Sequence, residues 1–261
     1  MKQRVITAVI ALFVLLAVLF YLPPAATRVV FALVVLGGAW EWSAFLRAGG
    51  LPARLLYLVI IGCCLAILTF VPGIDLQTLF LMSIVGWVFA LLWAFFFPTP
   101  VPAVVRWLAG IVVLVPLYPA LFALYSAGPE VLLFALLIVW VADSGAFFAG
   151  KFLGKVKLAP AISPNKTWEG VVGGLAAVVL LTLLRGFWTE TDLAVFIPFC
   201  LAVACISIIG DLTVSMFKRD AGVKDSGTLF PGHGGVLDRI DSVASAAPLF
   251  ALGLAWLGLS R

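Results

Sequence analysis

Charge is what this chain has least of: 11% of its 261 residues are Asp, Glu, Lys or Arg, against 64% hydrophobic. An ordinary soluble domain carries about 25% charged residues, and a soluble fold of this composition would have little with which to cover its surface. That excludes a soluble globular domain and leaves a membrane protein, for which only helices and closed barrels satisfy the backbone. A barrel would show short strands of alternating polarity. The apolar runs here are continuous, so the expected fold is an all-α integral membrane protein. Cysteine is scarce too. Cys63, Cys64, Cys200 and Cys205 all sit within apolar runs, with no His or Cys at metal spacing. They are expected to be small buried hydrophobes, not a disulfide framework or zinc ligands. Histidine occurs once, as His233. Neither the G-x-x-x-x-G-K-[ST] run nor a G-x-G-x-x-G turn is present, so a nucleotide must bind by another arrangement.

What the sequence does have is a series of apolar runs punctuated by proline, glycine and charge. Nine transmembrane helices are expected, at about 5–22, 27–46, 53–71, 76–97, 103–124, 130–149, 168–185, 192–216 and 240–259. Each is close to the roughly 20 residues that cross a bilayer. The first run follows two basic residues, as in a signal peptide, but its length of about 18 residues exceeds the usual apolar core of about 7–15 and reads as a retained span. A cytoplasmic N-terminus puts Lys2, Arg4, Arg47, Arg54, Arg106, Lys151, Lys155, Lys157, Lys166, Lys218, Arg219, Lys224 and Arg239 inside. Only Arg28, Arg185 and Arg261 then lie outside, a strong positive-inside bias. The net charge of +4 follows from that bias and calls for no nucleic-acid partner. Residues 1–125 are expected to supply scaffold helices, facing lipid or a second subunit. Residues 126–261 are expected to carry the catalytic helices and two long cytoplasmic segments, 150–167 and 217–239.

The acids divide into two groups. Asp75, Glu130, Glu190 and Asp192 fall in or beside outer loops, where water solvates them. Asp143, in "VWVADSGAFFAGK", and Asp211, in "ISIIGDLTVSMFKR", lie inside spans. Each is expected about six residues, or about 9 Å, from the inner end of its helix. Asp238 and Asp241, in "LDRIDS", stand at the inner start of the ninth helix, three residues apart and so on one face. Glu41, near the inner end of the second span, could serve packing or function alike. An acid inside a span costs at least a few kcal/mol, and several at one depth call for a compensating partner. A divalent cation held by carboxylate oxygens would supply it, and hard oxygen ligands suit magnesium. Internal salt bridges, for instance of Asp238 or Asp241 with Arg239 or Lys218, are the alternative.

The polar segments add cations and glycines. In "GKFLGKVKLAPAISPNKTWEG", Ser163 is placed to cap the seventh helix with Pro164 at its first helical position, leaving backbone N–H groups free for an anion. Lys166 and Thr167 add a charge and a hydroxyl. Lys151, Lys155 and Lys157 either bind phosphate or simply orient the chain. Lys218 and Arg219 end the eighth helix, Lys224 and Asp225 follow, and then comes "PGHGG". Its glycines allow close backbone approach to a ligand, and His233 could contact phosphate or transfer a proton. Carboxylates beside lysines, arginine and glycine turns at headgroup depth suit a phosphate-rich ligand. That points to an enzyme joining a nucleotide to a lipid. An ion-coupled transporter fits less well, because transporters favour midplane sites and inverted repeats.

The run "SMFKRDAGVKDSGTLFPGHGGVLDRIDS", Ser215 to Ser242, resembles the signature of phosphatidate cytidylyltransferases, also called CDP-diacylglycerol synthases. "SPNKTWEG" and "ADSGAFFAGKFLGK" resemble that family's upstream segments, so the likeness covers roughly residues 135–245. It implies that CTP and phosphatidic acid give CDP-diacylglycerol and pyrophosphate with one or two magnesium ions. It implies metal at Asp211, Asp238 and Asp241, and catalytic roles for these with Lys218 and His233. Asp143 would support the metal or nucleotide end, and Ser163, Asn165, Lys166 and Thr167 would bind nucleotide or lipid phosphate. Arg219, Lys224, Asp225, Gly234, Gly235 and Arg239 would complete the substrate contacts. The resemblance further implies a homodimer in a bacterial inner membrane. A CTP-dependent polyprenol kinase, which would transfer the γ-phosphoryl group, is the nearest rival.

Overall fold

The computed structural model describes residues 2–47, 50–187, 192–229 and 234–257, with side chains from Ile6 onward. The apolar runs become helices: α1 (Lys2–Tyr21), α2 (Pro24–Trp42), α3 (Gly50–Phe70), α4 (Leu76–Ala94), α5 (Ala103–Leu114), α6 (Leu117–Ala127), α7 (Pro129–Leu153), α8 (Trp168–Gly186), α9 (Leu193–Asp220) and α10 (Leu237–Leu257). Among the described residues, eight segments are long and apolar enough to cross a membrane, and Ile6–Tyr21 forms a shorter apolar helix. This is a multi-pass membrane protein of nearly pure α class. The span expected at 103–124 is two helices, α5 and α6, meeting at Val115 and Pro116. Proline lacks the N–H needed to continue the ladder.

Two helices run further than their apolar stretches. The sixth run continues as α7 to Leu153, and the eighth, as α9, continues through Lys218 and Arg219 to Asp220. The expected six-residue distance from Asp143 and Asp211 to their helix ends is therefore too short. Basic residues in a last helical turn meet the negative end of the helix dipole, so charge extends these helices where it was expected to stop them. Lys151 is accordingly helical.

The segment between α7 and α8 is not the helix entry that Ser163 and Pro164 suggest. Strands β1 (Lys157–Ala159) and β2 (Ser163–Thr167) form an antiparallel hairpin, with Lys157 opposite Thr167 and Ala159 opposite Ser163. Helix α8 begins at Trp168, and its cap is Thr167, whose Oγ1 accepts from the Gly170 N–H at 3.1 Å. The hairpin keeps Ser163 and Pro164 extended, so the capping role passes four residues along.

Helices α7 and α8 pack backbone to backbone. A side chain at Gly174 would strike the Ala142 carbonyl, and one at Gly170 the Ala146 carbonyl. Small residues at such a seam let membrane helices approach closely. One end of the core is built on Trp42, whose indole N–H donates to the Arg106 carbonyl at 2.9 Å and whose ring lies 4.9 Å from Phe217. Arg106, near the start of the span expected at 103–124, lies in α5 and donates through Nε to Asp220 at 2.9 Å. That pair ties the end of α9 to α5. Of the cysteines, only Cys200 is buried, while Cys63 and Cys205 face outward and none forms a disulfide. A small apolar side chain is as well accommodated by lipid as by the core, which is why the expected burial fails.

Candidate active site

Asp143 on α7 and Asp211 on α9 face one cavity of about 500 Å³, closed on its third side by α8 and roofed by the hairpin. Asn165, Lys166 and Thr167 line it, as do Lys151 and Lys157. Five of the residues read from sequence, taken from three separate stretches of chain, therefore meet in one place. Lys166 Nζ stands 2.6 Å from Asp211 Oδ2, and the Ser215 hydroxyl donates to Asp211 Oδ1 at 3.1 Å. The cation that balances Asp211 thus comes from the hairpin and not from its own helix.

Asp211 is also the electrostatic hub of the acids. Asp143 and Asp241 both lie within reach of its charge, as does Lys218. Arg239 in turn lies within reach of Asp143. Asp143 and Asp211 share the cavity.

A second cluster adjoins the first. Lys218, 7% exposed, places Nζ 2.8 Å from Asp238 Oδ1 and 3.8 Å from Asp241 Oδ2. Asp238 Oδ2 accepts from the backbone N–H groups of Ser226 and Gly235, each at 2.9 Å. Asp241 Oδ1 accepts from the Ser242 N–H at 2.8 Å. The internal salt bridges weighed from sequence are thus present, with Lys218 as the cation for both acids of "LDRID". Lys218 does not line the cavity with Asp143.

Glu41 resolves into a definite role. It is 8% exposed. Its Oε1 accepts from the Val236 N–H at 2.9 Å, and its Oε2 from the Leu237 N–H at 2.8 Å and the Ser226 hydroxyl at 2.7 Å. Leu237 opens α10, so a carboxylate on α2 satisfies the first free donors of a helix almost two hundred residues away. A side chain at Gly227 or Gly235 would collide with it. The sequence carried a hint, an acid inside a span, but nothing to say that its partners are backbone groups.

The other expected residues fall as follows. Ser163 pairs within the hairpin. Arg219 donates from Nε to the Ile162 carbonyl at 3.1 Å and from Nη1 to the Val223 carbonyl at 3.4 Å, pinning the hairpin to the end of α9. Lys224 and Asp225 are exposed on the connecting segment, and Arg239 is exposed at the end of a different, apolar groove. His233, with Pro231 and Gly232, lies outside the described residues. Gly234 holds φ at +79°, and a side chain there would meet Asp238. Gly234→Ala is therefore expected to lower stability by about 1–3 kcal/mol, read as a fall in melting temperature in detergent. An unchanged melting temperature would show that this turn relaxes freely.

Among the described residues, no group of three or more His, Cys, Asp or Glu side chains converges as a ready-made metal cage. Magnesium at phosphate sites does not require one, because it takes one or two carboxylates plus substrate phosphates and keeps several waters. Asp211, about a quarter open on the cavity with Asp143 and Asp241 in reach, fits that description. Asp238 is already satisfied by three protein donors, so a share in a metal would require Lys218 to give way.

Comparison with known proteins bears on this arrangement as a whole. A protein of Haemophilus influenzae named phosphatidate cytidylyltransferase is 36% identical over 280 residues, covering 96% of this chain and 97% of that one. The phosphatidate cytidylyltransferase of Pseudomonas aeruginosa is 38% identical over 265 residues, covering 98% and 97%. That of Staphylococcus saprophyticus is 44% identical over 131 residues, about half of each chain, with 49% of this one covered. The sequence profile of the cytidylyltransferase family matches residues 2–257, from the first helix to the last, and this chain belongs to that family.

Proposed function

We propose that this protein transfers the cytidylyl group of CTP to phosphatidic acid, giving CDP-diacylglycerol and pyrophosphate. The observation that carries the reading is the cavity in which Asp143 and Asp211 stand opposite Lys166, Asn165 and Thr167 between spanning helices. Such a site opens toward anionic, phosphate-bearing reactants while its walls lie in the bilayer. Full-length similarity to proteins named for this activity supports the same reading.

A phosphate oxygen of the lipid would attack the α-phosphorus of CTP. The bond from that phosphorus to the bridging oxygen would break, and pyrophosphate would leave with the electron pair. No protein nucleophile is needed, so the protein's work is to position and to neutralise. Lys166, Lys151 and Lys157 supply positive charge around the cavity. The Thr167 hydroxyl accepts from Gly170 and keeps its own proton to donate. Asn165 offers both a donor and an acceptor. Lys218 holds the turn carrying Asp238 and Asp241 against α9. Magnesium, when bound at Asp211 with Asp241 and Asp238 beside it, would neutralise charge on the triphosphate. Arg219, Lys224, Asp225, Gly234, Gly235, Arg239 and His233 would frame the rest of the substrate path.

The distribution of lysine and arginine supports a cytoplasmic N-terminus and a cavity facing the cytoplasm, where CTP is found. The opposite end holds Arg28, stacked 3.8 Å from the Phe122 ring centroid, and Arg185, 4.1 Å from that of Phe134. A bacterial inner membrane and a homodimer complete the proposal.

The test is direct. Purified protein in detergent, given magnesium, phosphatidic acid and CTP labelled on the α-phosphate, is expected to yield labelled lipid. Lipid labelled only from γ-labelled CTP would identify a kinase instead, and ion flux in liposomes without either label a transporter. Lys166→Met is expected to raise KM for CTP roughly 10- to 100-fold, the loss of one charge-assisted contact of about 1.5–3 kcal/mol. An unchanged KM would place the triphosphate elsewhere.

A further inference from the structure

Beside the charged cavity lies a second hollow of about 380 Å³ with nearly all its lining apolar. Leu158, Val171 and Ile208 line both. We infer that this groove seats one acyl chain of the lipid substrate while its phosphate lies in the charged cavity. The inference rests on the lipid-substrate reading above and adds where the tail goes.

Three observations commit the groove to a substrate tail. The first is continuity. A phosphate among Lys166, Lys157 and Asn165 would put the first carbons of its glycerol ester against Leu158, Val171 and Ile208, where the lining turns apolar. The second is the hairpin. Its base carries Lys157 and Lys166, which face the cavity, and its tip, Ala159 to Ile162, lines the groove. One short element therefore presents cations to one hollow and apolar surface to the other, matching a molecule with a charged head and an oily tail. The third is fixity. Arg219 holds the Ile162 carbonyl at 3.1 Å, so the roof of the groove is tied to the same helix that carries Asp211. A volume near 380 Å³ is within the range of sites that hold small ligands. The mouth is edged by Phe95 and Trp168, 73% and 51% exposed. They stand just past the end of α4 and at the start of α8, where a lipid could enter from the side.

Cys205 lines the groove but not the charged cavity. Filling the groove with Cys205→Phe is expected to lower kcat/KM for dioleoyl-phosphatidic acid about tenfold or more, the usual worth of a clash in an apolar pocket. The values for dihexanoyl-phosphatidic acid and KM for CTP should hold within about twofold on the same reasoning. Equal losses with both lipids, or no loss with either, would overturn the inference. A second measurement does not depend on turnover. Phosphatidic acid bearing a diazirine at its chain end should label peptides containing Phe95, Trp168 or Cys205 in the native protein. Labelling confined instead to the groove between α1 and α10, at Ile10 or Val243, would place the tail on the wrong side and sink the proposal. Absence of cytidylyl transfer in the native protein, with groove labelling intact, would count against the reaction and not against the groove.

Discussion

Asp211→Asn lowers kcat for cytidylyl transfer by about 100- to 1,000-fold, the range seen when one electrostatic group is removed from a reacting centre, and leaves the fold standing. The kinetic side follows from position. Asp211 faces the cavity, takes Lys166 at 2.6 Å, and is the one acid within reach of Asp143, Asp241 and Lys218 together. The amide keeps the shape and loses the charge that would organise a cation and set Lys166. The stability side follows from exposure. Both members of the Lys166–Asp211 pair are about a quarter open, and pairs of that kind contribute about 1 kcal/mol or less. Removing one negative charge also relieves its repulsion of Asp143 and Asp241. The melting temperature in detergent should therefore move by no more than about 3 °C. Wholesale unfolding of the variant would show that the acids are paired for stability and not for chemistry.

Glu41→Ala has the opposite signature. It strands the Val236 and Leu237 N–H groups in a buried place and frees the half-buried Ser226 hydroxyl, at about 1–3 kcal/mol for each buried donor left without a partner. Even if water repairs part of this, a loss of about 3 kcal/mol is expected, read as a fall in melting temperature. Turnover should fall with it, because the freed segment carries Ser226 and Gly235, two of the donors that hold Asp238. Glu41→Gln keeps one oxygen to accept and should lie between the two. If Gln proves as damaging as Ala to turnover while the melting temperature recovers, the charge itself matters and Glu41 acts on the site, not merely on the turn.

The contrast between these two acids shows what a sequence displays and what it hides. Asp143 and Asp211 announce themselves because a carboxylate in an apolar run has a known cost, and their cavity is what that cost predicts. Lys166 was visible as a cation near a helix start. Its actual partner was not visible, because Ser163 and Pro164 imitate a helix cap so well that strand β2 is masked. A two-stranded hairpin is fixed by pairing across a turn, and only Lys157 against Thr167 and Ala159 against Ser163 reveal it. Glu41 shows the deeper limit. Its partners are main-chain N–H groups at Val236 and Leu237, and every residue but proline carries one, so no pattern of side chains marks them. The helical class was legible because hydropathy is a local quantity, although eight segments, not nine, are long and apolar enough to span among the described residues. The overrun of α9 to Asp220 was not legible, because dipole effects and Arg106, reached through the fold, settle where that helix stops.

The seam between α7 and α8 has a consequence for the enzyme in membranes of differing composition. Where two helices touch through glycine and carbonyl oxygen, as at Gly174 against Ala142 and Gly170 against Ala146, there is no side-chain cushion to compress or swell. Thinner or thicker bilayers would tilt the two rods together. The distance from Asp143 on one to the hairpin that joins them would hold constant, so the reaction chamber would keep its dimensions as lipid length changes around it.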